Sequence, residues 1–198
     1  MSFYTKTLWD YFIEEKLHFD CILSIENEND TFIILSSLEG GLFVFKEKSD
    51  LEVELLTQQK LKQPILKISK GKLISALKHD ILAILHPQQL SLSYIENDKL
   101  ESAWKIDLNE PSYSMTVSGR KIFVTSMFSQ ISFFEREARV FETKIEETAI
   151  LPAEIAYLSK SDLVVTASQS SRILAGYSVP KWSILKSHMY LFSKTRNF

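Results

Sequence analysis

From residue 21 onward, apolar and polar positions alternate in short runs. Thr31-Phe32-Ile33-Ile34-Leu35-Ser36 breaks at Glu39-Gly40-Gly41 and resumes as Leu42-Phe43-Val44-Phe45. β-Branched and aromatic residues on either side of a glycine pair predict a hairpin. The unit returns over Asp80 to Tyr94, Arg120 to Phe134 and Asp162 to Tyr177, each time as an apolar strand, a polar turn and a second strand ending in an aromatic residue. The aligned positions Ile33, Leu82, Phe123 and Val164 lie roughly 41 to 49 residues apart, close to the ~40–45-residue period of four-stranded propeller blades.

The flanks repeat as well. An apolar segment precedes each hairpin, beginning near Cys21, Pro64, Tyr113 and Pro152, and a more polar one follows the first three, beginning at Leu51, Leu100 and Arg139. An inner strand, an apolar central hairpin and a polar outermost strand are the gradient of a blade whose first strand lines a channel and whose last faces solvent. The expectation is an all-β fold, a partial β-propeller of about four four-stranded blades. An unclosed β-sandwich shares the short alternating strands, whereas a βαβ array lacks helical spacing in the connections. Near the start, Leu8, Phe12 and Glu15 fall on one helical side with Thr7 as a possible N-cap, so a short N-terminal helix is expected. Alternation fails after Tyr177, which divides the chain into a partial propeller over residues 1–178, the N-terminal portion of a larger ring, and a divergent tail over 179–198.

Composition narrows the function classes. The 23 basic and 25 acidic residues nearly cancel, leaving no overall charge for the counterion release that drives nucleic-acid binding. The single Cys21 excludes an internal disulfide and fits a reducing compartment. Asp10, Glu14 and Glu15 interrupt the N-terminus before any secretory core develops, and no run approaches the roughly 18 apolar residues of a membrane span. The expected location is cytoplasmic.

Catalytic motifs are missing: neither a phosphate-cradling glycine loop, nor a zinc-binding HExxH, nor a GxSxG elbow occurs, and one cysteine excludes CxxC sites. His18 and Cys21 are three apart, but Cys21 opens an apolar strand, where cysteine behaves as a small hydrophobe. His79 and His86 bracket the strand Ile81 to Leu85, so they read as loop residues unable to share a metal. The acids Glu26, Glu28 and Asp30, and Glu142, Glu146 and Glu147, lack calcium-loop spacing and read as solvated turns and charged edges. No catalytic residue, cofactor or metal is expected. Phe43, Phe45, Phe123, Phe133 and Phe134 lie on hairpins, where packing between blades needs large side chains. Trp9 and Tyr11 either seal the channel edge or anchor a partner, and they are the candidate partner-binding residues.

The order of segments resembles the N-terminal propeller of the ninth Bardet–Biedl syndrome protein family, also called parathyroid-hormone-responsive B1, a BBSome subunit. The matching pieces include Leu8-Trp9-Asp10, Phe19-Asp20-Cys21, Ile33 to Phe45, Leu51-Glu52-Val53-Glu54, Gln63 to Ile68, Leu82 to His86, Leu90 to Tyr94, Met115-Thr116-Val117, Phe133-Phe134-Glu135, Ile150 to Tyr157 and Thr166-Ala167-Ser168. They run in register from about residue 3 to about residue 178. The resemblance implies a non-enzymatic scaffold in ciliary membrane-protein trafficking and ciliogenesis. Its partners would be other BBSome subunits, its membrane association indirect through the complex, and its location the cytoplasm, cilium and ciliary base. The family's chain would continue to a seven-bladed ring, so this one should remain an open arc. Its two terminal blades would then expose apolar faces, with Ile34, Phe43 and Phe45 the candidates on the first and Val164, Val165, Ile173 and Leu174 on the fourth.

Overall fold

The computed structural model describes residues 9–27, 30–48, 52–74, 77, 79–127, 130–135, 138–144, 152–168 and 174–178. The first sheet holds β1 (Ile22–Glu26), β2 (Thr31–Ser36), β3 (Gly41–Glu47) and β4 (Val53–Lys60). The second holds β5 (Lys67–Gly71), β6 (Ile81–His86), β7 (Gln89–Glu96) and β8 (Lys99–Asp107), and the third β9 (Ser112–Ser118), β10 (Lys121–Ser126), β11 (Gln130–Glu135) and β12 (Ala138–Lys144). The fourth contributes β13 (Pro152–Leu158), β14 (Leu163–Ser168) and β15 (Leu174–Ser178). Every sheet is an antiparallel meander in chain order. β5 lies beside β1 and β9, and β9 beside β13, so the first strands gather at the centre. The predicted partial propeller of four blades is the observed fold.

Local chemistry explains the elements. Asn97 and Asp98 both take positive φ, 49° and 59°, the conformation of a two-residue type I′ turn that matches strand twist, and they join β7 to β8. Gly40 turns the first hairpin at φ 89°, where an added Cβ would meet the Leu61 and Gln63 carbonyl oxygens at 2.7 Å. A bulge recurs between the third and fourth strands of all three complete blades, at Val44/Phe45, Leu92/Ser93 and Phe133/Phe134. Each bends and twists its outer strand at the same place.

All of β6 is buried, whereas β8 is mostly exposed. A strand covered on both faces reads as a continuous apolar run, as Ile81-Leu82-Ala83-Ile84-Leu85 does. Between blades 1 and 2 the core joins Ile25, Phe32, Ile34 and Val44 to Ile68, Leu82 and Ile84. Between blades 2 and 3 it joins Ala83, Leu85, Leu90 and Leu92 to Met115, Ile122, Val124 and Phe134. Trp104 meets Phe134 edge-on at 6.2 Å, and Phe123 of blade 3 stacks on Tyr157 of blade 4 at 4.9 Å. Aromatics thus serve packing between blades at Phe123 and Phe134, while the Phe133 side chain lies outside the described residues.

Three expectations need correction. No helix forms over Trp9–Lys16; the segment is irregular and runs as a strap across the first sheet. So short a helix is marginal alone, and residues two apart do not share a helical face, whereas the irregular strap brings both Trp9 and Tyr11 to Phe45. Ile34, Phe43 and Phe45 are only 0%, 2% and 4% exposed, because Ile34 faces blade 2 and the strap covers Phe43 and Phe45. On the fourth blade Val164 is fully buried and Val165 half-buried; Ile173 lies outside the described residues, as does the Leu174 side chain.

Candidate functional site

The strap is fixed at two points. Trp9 lies tilted against Phe45 at 6.2 Å and Tyr11 meets it edge-on at 5.1 Å, geometries that suit the ring quadrupoles. Further on, the Glu15 carboxylate accepts hydrogen bonds from the Ser37 hydroxyl, the Gly41 N–H at 3.0 Å and the Lys60 ammonium at 2.7 Å. Gly41 carries no side chain where a Cβ would collide with that carboxylate. Lys60, then Ser37 and Gly41, hold the Glu15 pKa below its ordinary value. Both sequence candidates retain accessible surface, Trp9 at 42% and Tyr11 at 44%, beside the far more exposed Phe12 and Phe19.

A second constellation forms where the inner strands meet. Lys67, Ser114 and Glu154 each pair with the penultimate residue of the next strand, Leu85, Thr125 and Ala167, so they occupy one level of three successive blades. The Lys67 ammonium lies 3.0 Å from Glu154 Oε2, 3.1 Å from Asp20 Oδ2 and 3.3 Å from Ser114 Oγ. Ser114 in turn donates to Glu154 Oε2 at 2.6 Å. One side chain therefore ties blades 2, 3 and 4 to the residue that leads into β1. Burial alone would lower the Lys67 pKa, but Glu154 and Asp20 outweigh it and raise the value. An amine held protonated is no nucleophile; its chemistry here is that of a clamp. In sequence the first strand of each blade reads as an apolar segment, and the lone lysine and glutamate carry no signal until the register aligns them.

Blades 3 and 4 share a further pair. Lys121 lies 3.0 Å from both the Tyr157 hydroxyl and Asp162 Oδ1, and its ammonium sits 5.2 Å from the Tyr157 ring centroid. Tyr157 donates to Asp162, and that bond, together with Lys121, lowers the Asp162 pKa. Blades 1 and 2 are bridged by Lys46, which reaches Asp30 at 3.1 Å and Asp98 at 3.0 Å. The seams between blades 1 and 2 and between blades 3 and 4 thus each carry an ion pair.

The remaining sequence candidates stay apart. His18 bonds locally to the Phe19 carbonyl, and Cys21 is a half-buried free thiol. His79 lies in the loop before β6, but His86 is a correction: it ends β6, buried, with Nδ1 2.8 Å from the Pro64 carbonyl oxygen. Burial keeps its pKa below the ordinary imidazole value. Asp30 is spoken for by Lys46; Glu28, Glu146, Glu147 and the Glu142 side chain lie outside the described residues. Among the described residues no group of three or more His, Cys, Asp or Glu side chains could hold a metal ion, and no helix is long and apolar enough to cross a membrane.

Radially arranged antiparallel meanders, three of four strands and one of three among the described residues, with their first strands gathered at the centre, define a propeller-type domain. A solved BBS1N chain, in complex with ARL6DN, shares this fold with a TM-score of 0.63 over 82% of this chain and 51% of that one, at 15% identity. The chain belongs to the PTHB1 N-terminal family, whose profile matches residues 1–193. It is 28% identical to Protein PTHB1 of Xenopus laevis over 200 aligned residues, covering 86% of this chain and 23% of that protein. Protein PTHB1 of Homo sapiens is 25% identical over 86% of this chain and 22% of its own length. The chain therefore spans less than a quarter of these relatives.

Proposed function

We propose that this chain is the propeller portion of a scaffold of the BBSome ninth-subunit type, a non-enzymatic interaction module in ciliary membrane-protein trafficking and ciliogenesis. The observation that carries the reading is the family match over residues 1–193. The solved neighbour of the same fold is itself a protein complex, which supports a role in binding proteins. In this reading the partners are other BBSome subunits, membranes are reached only through the complex, and nucleic acid is not a ligand. The location is the cytoplasm and ciliary base, residues 1–178 form the partial propeller, and 179–198 are a tail. Trp9 and Tyr11 serve as partner anchors: each ring is braced by Phe45 while leaving part of its surface free, which lowers the ordering cost of binding.

The test is affinity purification of the tagged chain from ciliated cells, with the captured proteins identified by mass spectrometry. BBSome subunits should co-purify, and a W9A/Y11A variant with an unchanged circular dichroism spectrum should capture fewer. A folded chain that captures none of them overturns the reading, and a reproducible set of unrelated proteins would make it a general propeller adaptor instead. The open arc has its own check, because Ala156 and Leu158 are exposed on blade 4 and Val165 is half-buried. Light scattering should show self-association; a compact monomer that binds no hydrophobic dye rules the arc out.

A further inference from the structure

Blades 1 and 2 touch through apolar side chains of their inner strands and meet again where β4 approaches β8, with Gln59 Nε2 3.5 Å from the Leu100 carbonyl oxygen; between the end of β4 and the second sheet they leave a groove of about 420 Å³. That volume lies within the ~300–1,000 Å³ typical of ligand pockets. Its floor is apolar, with Leu42, Ile84 and Leu100. Its walls carry the amides of Gln59, Gln63 and Gln89 and the hydroxyls of Ser91, Ser93 and Ser102. Lys60, Lys62 and Lys105 add three ammonium groups, and none of the described residues lining the groove carries a carboxylate. Glu15 neutralises Lys60 from outside at 2.7 Å, and Asp107 is held at one end by Gln89 at 3.0 Å. Lys62 and Lys105 have no ion-pair partner among the described residues.

We propose that this groove binds an extended acidic segment of a protein partner. Lys62 and Lys105 supply the charge complementarity, in a chain whose net charge of −2 gives no general attraction for anions. Amides and hydroxyls offer donors and acceptors together, which a peptide backbone needs and a bare anion does not. The apolar floor accepts the aliphatic parts of glutamate side chains. A single small anion would satisfy the lysines but leave most of the volume and the apolar floor in water. His86 at the inner end adds no charge: its pKa is lowered by burial, its Nδ1–H is given to Pro64, and Nε2 faces Ser91 Oγ at 3.5 Å.

The site does not depend on the BBSome reading, and it is tested on the whole chain with synthetic peptides. Fluorescein-labelled hexaglutamate should bind saturably at low ionic strength in an anisotropy titration, and labelled hexalysine should not. K62Q/K105Q should weaken binding about tenfold, the scale of losing two partly screened charge contacts. S102F keeps both charges and puts a ring into the groove, so it should weaken binding comparably. K99Q removes a lysine from β8 outside the groove and should leave the affinity unchanged. The proposal is overturned if hexaglutamate does not bind, if K62Q/K105Q or S102F binds like the unmodified chain, or if K99Q loses as much. It is overturned equally if inorganic phosphate at matched charge displaces the peptide as well as unlabelled hexaglutamate does, since a small-anion site would then suffice.

Discussion

The two faces of β7 build two different seams. Leu90 and Leu92 turn toward blade 3, where Met115, Ile122, Val124 and Phe134 cover them and Trp104 closes the outer end. Ser91 and Ser93, the alternate residues of the same strand, turn toward blade 1 and line the groove with Ser102 and Lys105. A seam stays dry only where large apolar side chains fill the gap between two sheets. Between blades 2 and 3 Trp104 and Phe134 supply that bulk; between blades 1 and 2 Ile95 and Leu100 close one part of the seam, and the serines leave the groove in another. Both seams hold the sheets together through apolar cores, and the second also keeps room for a ligand.

The largest expected effect comes from attacking the dry seam. Leu92→Ala removes a fully buried side chain and should cost about 2–5 kcal/mol in urea unfolding, as cavity-forming core substitutions do. A loss below about 1 kcal/mol would mean that the two seams do not differ as described.

Next is the clamp that joins the inner strands. Lys67→Met leaves Asp20 and Glu154 facing one another without their shared cation. Both carboxylates are more than half exposed, so the loss should be about 1–3 kcal/mol, short of a fully buried pair. A double-mutant cycle with Glu154→Gln should return a coupling of about 0.5–2 kcal/mol that shrinks as salt is added.

On the other face of β7, Ser93→Ala should change stability by no more than about 1 kcal/mol, since it removes one hydroxyl and opens no large cavity. It sits one residue from Leu92, so the pair of measurements isolates the direction in which a side chain points. An effect comparable to that of Leu92→Ala would show this seam to be as tightly packed as the other.

The pH dependence of the strap completes the series. Glu15 has its pKa lowered in the folded chain, so its contribution is present above the ordinary value of 4.5 and lost as pH falls through the lower folded value. The stability difference between the unmodified chain and Glu15→Gln should be constant near neutrality and shrink under acid conditions below that point. A difference that grows on acidification would contradict the latch.

Strand order, blade period and the all-β class were legible in the chain because period-two alternation and turn chemistry are local: the hairpin at Gly40, the continuous apolar β6 and the polar β8 follow from neighbours in sequence. The same local reading failed at Trp9–Lys16, where helical spacing at Leu8, Phe12 and Glu15 lost to contacts with Phe45, Ser37 and Lys60 that lie far along the chain. It also misplaced Ile34, Phe43 and Phe45, since alternation says that a face is apolar but not what covers it. Trp9 and Tyr11 were singled out from sequence as unusual, yet their seat on Phe45 was not visible there. Tertiary structure alone decided the convergence of Lys67, Ser114, Glu154 and Asp20, and the groove that Ser91 and Ser93 line between blades 1 and 2. Those arrangements depend on how one sheet is rotated and spaced against the next, a quantity set by side-chain volumes summed across two blades, and no periodicity within one blade encodes it.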